Sequence, residues 1–217
     1  DMADAPAHYD LVFITNPTSL HADALTQVKG RGEALFIEKP IFSAEQAGLA
    51  LANYLPTGQK AYVAAPMRWC GVMLALKDRL PALIHEWDYL VELFGVPEKL
   101  YNFKGTYSDL EIDSDDLSVY IAKYPTLLAE VHLDYFGRGY RRSIELFCHD
   151  GSYLADFGAG TLTLPDGTVQ HYEEDVNRRY EREMEYFVDY ALTGSGESCN
   201  PPALALNVLK LTLGENV

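Results

Sequence analysis

The sequence predicts an α/β and α+β chain, in which a parallel sheet is followed by an α/β domain with a largely antiparallel, open sheet. In the first third, short apolar runs end at polar residues or proline and alternate with helical spacing, which is typical of parallel strands covered on both faces. From Leu100 onwards, apolar and polar residues alternate in short segments between turns, which indicates antiparallel strands. We therefore expect two domains, at residues 1–65 and 66–217.

A strand–helix–strand unit opens the chain. Leu11–Ile14 predicts a buried strand that ends at the polar segment Thr15–Ser19, and Leu20–Val28 predicts a helix. Ala34–Ile37 predicts the next strand, which ends at Glu38-Lys39-Pro40. Because a crossover helix makes the two strands parallel, both strands end at one edge of the sheet, and the two polar loops should be neighbours.

The remaining elements follow the same two patterns. Further helices are predicted over 43–55, over 70–80, over Ala82–Phe94, and at the end of the chain over Asn177–Leu192 and Pro202–Leu213. Further strands are predicted over Ala61–Ala65, Leu117–Ala122, Leu127–Phe136, Arg141–Cys148, Ser152–Phe157 and Thr161–Leu164. The two closing helices can cover the antiparallel sheet, and the acidic stretch Asp109–Asp116 reads as a solvated loop.

Two basic residues at the predicted strand ends are candidates for chemistry. Ligands of open α/β sheets bind beyond the carboxyl ends of the strands. Lys39 there can donate a hydrogen bond or transfer a proton, or it can form a solvated pair with Glu38 that closes the strand. Arg68 follows the third strand and can hold a carboxylate or phosphate, or it can pair with one of the many acids.

Composition narrows the class of protein. The net charge is −15, and residues 81–217 carry 24 acidic but only 10 basic side chains. This balance argues against nucleic acid or an anionic membrane as partner. Three widely spaced cysteines favour a reducing compartment, and we expect a cytoplasmic protein. No run of residues is apolar enough to span a membrane, and the six histidines lack the paired spacing of metal ligands, so no metal site is expected.

The order of motifs resembles the glucose–fructose oxidoreductase, inositol dehydrogenase and rhizopine-catabolism family (Gfo/Idh/MocA). The most specific motif is Glu38-Lys39-Pro40 after a buried strand. The segments that carry the resemblance, over nearly the whole chain, are Asp10–His21, Leu35–Pro40, Ala65–Trp69, Leu83–Asp88, Gly95–Pro97, Asp134-Tyr135, His149–Gly151 and Tyr180–Phe187.

The resemblance implies a partial Rossmann-type nucleotide-binding domain followed by a substrate-binding domain. It implies an oxidoreductase that uses NAD or NADP on a hydroxyl or carbonyl of a sugar, polyol or related compound. By resemblance, Lys39 hydrogen-bonds the reacting hydroxyl and His85 takes or gives the proton. The cofactor-binding candidates are Thr15, Asn16, Pro17, Ser19, His21, Glu38, Lys39 and Arg68.

Two departures from the family pattern bear on this reading. The sequence has no G-x-G-x-x-G, since Gly30-Arg31-Gly32 precedes a strand instead of following one. Pro81 stands where the family usually has an aspartate four residues before the histidine, and Leu80-Pro81-Ala82 replaces a glycine-rich segment. We therefore expect the natural protein to have an amino-terminal and an internal segment that this sequence lacks.

A second hypothesis is a non-catalytic descendant of the family that binds a sugar or a protein partner through the open sheet. A metal-dependent hydrolase or lyase is the weakest alternative, for want of ligand spacing. For the enzyme, we expect a homodimer or homotetramer formed through the exposed sheet face. The candidate interface aromatics are Tyr120, Tyr124, Tyr135 and Phe136, and packing within the chain itself is expected to account for about half of them.

Overall fold

The computed structural model describes residues 5–79, 90–172 and 174–217, and it divides into two compact units. The first unit runs to Pro66 and adds Tyr180–Leu213, whereas the second comprises Met67–Arg179 and Gly214–Val217. The domain division predicted after residue 65 stays a prediction. The compact units depart from it in grouping the closing helices with the first unit.

The first unit contains a parallel three-stranded sheet in the order β1-β2-β3, formed by Tyr9–Ile14, Gly32–Ile37 and Lys60–Val63. β2 is apolar on both faces, as a central parallel strand must be. Its alternate residues enter different cores, because successive side chains of a strand point to opposite faces. Leu35 and Ile37 contribute to one core, and Ala34 and Phe36 contribute to the other.

Helices cover both faces of this sheet. Helix α1 (His21–Val28) follows β1, and it buries Ala22 and Leu25 in the same core as Leu35. The closing helix α5 (Pro202–Thr212) adds to that core. Helix α4 (Asn177–Thr193) packs on the other face, where Phe187 touches the rings of Phe13, Phe36 and Tyr62. The prediction that the closing helices cover the antiparallel sheet is therefore wrong, because their apolar stripes match the two faces of the parallel sheet.

The outer edge of β3 is covered by the chain itself. Val63 exchanges hydrogen bonds with Asn200, whose side chain donates to the Val63 carbonyl at 2.8 Å and whose carbonyl accepts from the Val63 N–H at 3.0 Å. The Ser198 hydroxyl donates to the Ala61 carbonyl at 2.7 Å. These bonds satisfy backbone groups that an exposed edge strand would present to other chains.

The helix predicted over 43–55 is wrong. The segment forms two short 3-10 turns, Ala44–Gln46 and Leu51–Asn53, although Ser43 and Gln46 form a capping box. Ala50 is extended, with φ −79° and ψ 115°, so the helix does not continue. Gly48 lies in this gap, and glycine is a poor helix former.

The second unit contains two antiparallel sheets, which confirms the predicted architecture. The first has the order β4-β5-β6, and the second has the order β10-β9-β8-β7. Strands β4 to β10 are Lys99–Gly105, Leu117–Lys123, Leu128–Asp134, Ser143–Cys148, Gly151–Asp156, Thr161–Thr163 and Val169–His171.

Helix α2 (Gly71–Arg79) lies on β8 and β9 of the second sheet, and its Val72, Met73 and Leu76 share a core with Ala155 and Leu162. Of the helix predicted over 82–94, the structure shows α3 (Val91–Phe94). Residues 80–89 are outside the described residues.

The predicted interface aromatics divide into two pairs. Tyr120 and Tyr124 are buried, and the ring centroids of Tyr124 and Phe94 are 5.1 Å apart. Both tyrosines therefore belong to the interior of the second unit. Burial raises the pKa of both phenols. Tyr135 and Phe136 are exposed just after β6, where they can meet another molecule.

Candidate active site

The carboxyl ends of the three parallel strands are level with one another. Ile14 is paired with Ile37, and Ile37 is paired with Val63. Beyond the strands, the Glu38 N–H donates to the Ile14 carbonyl at 2.9 Å, and the Ala64 N–H donates to the Ile37 carbonyl at 2.8 Å. The loops after β1 and β2 therefore start side by side, as the strand–helix–strand pattern predicted.

The loop after β1 presents polar groups at this edge. Thr15, Pro17 and Ser19 are exposed, and the Asn16 side-chain nitrogen donates to the Leu20 carbonyl at 3.2 Å. The Asn16 side-chain oxygen is buried and accepts no hydrogen bond from any residue that the structure describes. A buried acceptor without a donor is costly, so this oxygen is a natural partner for the N–H or O–H of a ligand.

A cavity of about 210 Å³ extends from Asn16 along β1 and α1. Its lining is mostly apolar, and its polar residues are Thr15, Asn16 and Gln27. The residues that line it are Val12, Phe13, Ile14, Thr15, Asn16, Ala24, Gln27 and Val28. The cavity therefore places the Asn16 side chain at the junction of an apolar surface and the polar loop.

The loop after β2 carries Glu38 and Lys39. The Lys39 backbone N–H donates to the Glu38 carboxylate at 3.0 Å, and the Lys39–Pro40 peptide bond is cis. Lys39 is exposed, and within the described part of the chain its ammonium group has no hydrogen-bond or ion-pair partner. The ammonium can therefore bind a ligand at this edge without first breaking an ion pair, and the solvated Glu38–Lys39 ion pair considered above does not form.

His21 is placed differently from the other candidates in this loop. It is 1% exposed, and both ring nitrogens face backbone oxygens, with Nε2 lying 2.9 Å from the Asn16 carbonyl and Nδ1 lying 3.2 Å from the Ile41 carbonyl. Because these contacts occupy both nitrogens, the imidazole holds the two loops instead of presenting a nitrogen to a ligand.

Sequence reasoning missed Glu183, which fixes the exit of β3. Its carboxylate is 3% exposed and accepts hydrogen bonds from the Tyr62 hydroxyl at 2.8 Å and from the Ala65 N–H at 2.5 Å. A signal was present, because Glu183, Phe187 and Tyr190 recur at helical spacing and all three are buried. An acid on the apolar stripe of a helix indicates a buried hydrogen-bond partner.

Arg68 belongs to the second unit. Its side chain is 1% exposed, and its Nε lies 3.3 Å from a carboxylate oxygen of Glu92, whose other oxygen contacts the ammonium of Lys77. This arrangement is the ion pair with an acid that the sequence left open as an alternative for Arg68. His85, the other predicted catalytic residue, lies outside the described residues, as does Pro81.

The described residues include no group of three or more histidine, cysteine or acidic side chains that could hold a metal ion. In the same residues, no helix combines the length and the apolar character that crossing a membrane requires.

Neither a protein-family model nor a curated relative matches the sequence. Solved structures do match. UDP-N-acetylglucosamine 3-dehydrogenase from Acidithiobacillus ferrooxidans is 18% identical with a TM-score of 0.71, and the match covers 99% of this chain and 78% of that one. The chain has the fold of an oxidoreductase structure.

Two further structures agree. An oxidoreductase from Thermotoga maritima matches with a TM-score of 0.73 at 15% identity, over 93% of this chain and 74% of that one. A Desulfitobacterium hafniense protein described as an NADPH-dependent oxidoreductase matches with a TM-score of 0.73 at 17% identity, over 95% of this chain and 76% of that one. The fold that the motif resemblance implied is therefore confirmed.

Proposed function

We propose that this chain is an NAD(P)-dependent oxidoreductase of the Gfo/Idh/MocA type, which transfers hydride between a nicotinamide cofactor and a hydroxyl or carbonyl group of a sugar, polyol or related compound. The observation that carries the proposal is the edge of the parallel sheet. There the ammonium of Lys39, which has no partner among the described residues, and the buried acceptor of Asn16 lie on adjacent loops, in a fold shared with oxidoreductases.

The residues at this edge fit the nicotinamide half of such a cofactor. A carboxamide carries N–H donors, which is what the side-chain oxygen of Asn16 lacks among the described residues. The hydroxyls of Thr15 and Ser19 and the carboxylate of Glu38 offer further partners on the same two loops. When bound, the cofactor supplies the hydride chemistry, and the protein supplies orientation and proton transfer.

Lys39 is assigned the role of binding the reacting hydroxyl of the substrate. Its Nζ donates a hydrogen bond to the reacting oxygen, and its positive charge stabilises that oxygen as negative charge develops on it, which lowers the pKa of the hydroxyl. His85 is assigned the transfer of the proton on the motif resemblance alone. In this assignment, His85→Ala shifts the pH–rate profile, whereas an unchanged profile would remove His85 from the mechanism.

The names of the structural neighbours support the two finer parts of the proposal. One neighbour is a sugar-nucleotide 3-dehydrogenase, which supports a sugar-like substrate, and another is described as NADPH-dependent, which supports a nicotinamide cofactor. We retain both NAD and NADP. None of the three cysteines forms a disulfide bond, which fits the reducing cytoplasm that we propose as the compartment.

The test is a titration of the full-length protein with NAD and NADP, followed by a panel of sugars and polyols with the nucleotide that binds. Lys39→Ala is expected to lower turnover by several orders of magnitude and to leave the fold intact, because the side chain is exposed. The control is Lys29→Ala, since Lys29 is an exposed lysine just after the carboxyl end of α1, where its ammonium donates to the Asn53 carbonyl at 2.5 Å. Near-normal turnover of the Lys39 variant would refute its role.

The second candidate is a non-catalytic protein that binds a partner or a sugar through the open sheet. The exposed apolar face of the sheet formed by β4, β5 and β6 favours it, since Tyr101, Phe103 and Leu128 are 51%, 72% and 69% exposed. Nucleotide binding discriminates the two candidates, because only the oxidoreductase requires it.

The same face supports the proposed homodimer or homotetramer. In the strand register, Tyr101 and Phe103 lie beside Ile121 and Val119, so their side chains form one apolar surface. Phe103→Lys is expected to produce monomers in sedimentation velocity. Leu192→Lys, at an equally exposed position on α4, is the matched control and should leave the assembly unchanged.

A further inference from the structure

His21 occupies a position from which one side chain reaches two loops. It is the first residue of α1, so it lies just after the loop that leaves β1. Its Nε2 is 2.9 Å from the carbonyl of Asn16 in that loop, and its Nδ1 is 3.2 Å from the carbonyl of Ile41 in the loop that leaves β2. Lys39 is two residues before Ile41, so this contact fixes the chain close to the ammonium-bearing residue.

The chemistry of the contact specifies an imidazole. Carbonyl oxygens only accept hydrogen bonds, and an imidazole carries an N–H on one ring nitrogen when it is neutral and on both when it is protonated. The two nitrogens point away from each other across the ring, which lets one side chain face carbonyls of different loops. An amide side chain carries both of its N–H groups on one nitrogen and can serve only one of these loops.

Burial makes this contact more important than a second side-chain connection between the loops. The Gln46 side chain also joins them, since it donates to the Ser19 carbonyl at 3.1 Å, but that bond is exposed to water. Water can replace an exposed bond at little cost, whereas a buried carbonyl that loses its donor stays without a partner. His21 is 1% exposed, so no solvent replaces it.

We infer that His21 is a positioning residue that holds the loops after β1 and β2 as one unit, and so sets where Lys39 stands relative to Asn16. The consequence for Lys39 rests on the proposed function, whereas the coupling of the two loops does not. His21 therefore does more than pack against the core beneath α1.

The test compares amide hydrogen exchange in four proteins without any nucleotide or substrate. These are the wild type, His21→Asn, the exposed-bridge variant Gln46→Ala, and Thr26→Ala. Thr26→Ala removes a bond within α1, from Thr26 to the Ala22 carbonyl, that reaches neither loop. His21→Asn should speed exchange about tenfold in residues 16–20 and 38–42 and leave the amides of β1, β2 and β3 unchanged.

Gln46→Ala should change exchange less than twofold, and Thr26→Ala should leave the loops unaffected. Equal acceleration in the strands would show that His21 only stabilises the unit, and unchanged exchange in one of the two loops would show that it does not couple them. Either result overturns the inference. Asparagine is the test substitution because it retains a donor, and a His21→Ala variant that folds should show a larger effect in the same segments.

A second measurement links the coupling to catalysis. If the full-length protein turns over substrate, His21→Asn should lower kcat about tenfold and raise the KM for nucleotide by a smaller factor, because the variant displaces Lys39 and also loosens the loop that carries Asn16. Equal changes in kcat and KM would overturn the link to Lys39. A protein that binds no nucleotide refutes the proposed function and leaves the exchange result to decide the coupling.

Discussion

The buried carboxylate of Glu183 gives a prediction whose magnitude follows from the structure. It accepts hydrogen bonds from the Tyr62 hydroxyl at 2.8 Å and the Ala65 N–H at 2.5 Å, and it is 3% exposed. Glu183→Ala leaves these two donors buried without an acceptor. Each such donor costs about 1–3 kcal/mol, so the free energy of unfolding should fall by about 2–6 kcal/mol.

Two matched variants separate the parts of this loss. Glu183→Gln keeps an acceptor of the same size and removes the charge, so it should cost about 1–2 kcal/mol, since charge-assisted bonds are roughly twice as strong as neutral ones. Tyr62→Phe removes the hydroxyl that donates to Glu183, so no donor is left without an acceptor, and the free energy of unfolding should fall by about 1 kcal/mol. In the double variant that combines Glu183→Ala with Tyr62→Phe, the two losses of stability should not add, because the two side chains share one hydrogen bond.

Native-state hydrogen exchange is the suitable assay, because the chain has two compact units and a single denaturation curve would mix them. The opening free energy is read from the amides of Val63 and Ala64 in the first unit, with amides of β5 in the second unit as an internal reference. A loss below about 1 kcal/mol for Glu183→Ala, or strict additivity with Tyr62→Phe, would refute the reasoning.

Two further predictions concern the second unit. Burial raises the pKa of Asp116, but hydrogen bonds from the Ser108 hydroxyl and from the N–H groups of Tyr107 and Ser108 outweigh this effect and lower the pKa. The stability that the Asp116 carboxylate contributes is therefore present above about pH 4 and is lost as the pH falls through the lower pKa of the folded state. Asp116→Asn should flatten the acid limb of a stability–pH curve. Arg68→Met should lower the opening free energy of α2 by about 3 kcal/mol, because it removes a buried guanidinium that is ion-paired with Glu92. Lys77→Met should cost under about 1 kcal/mol in the same exchange measurement, because Lys77 is partly exposed.

The sequence alone determined the strands of the parallel sheet and the loops at their ends. Runs such as Leu35–Ile37 are apolar without interruption because a central parallel strand is covered on both faces, and the polar residues that stop each run mark the edge where Lys39 and Asn16 lie. The alternation after Leu100 similarly predicted the antiparallel sheets, since a strand with one exposed face must alternate.

Only the tertiary structure decided which surfaces these elements cover. The apolar stripe of α4 fits either sheet in principle, and its packing on Phe36 and Tyr62 depends on contacts between residues more than 120 positions apart. The partners of Glu183, of Arg68 and of both nitrogens of His21 were equally out of reach, because a side chain reports its own chemistry along the chain, whereas its neighbours are set by how distant segments pack.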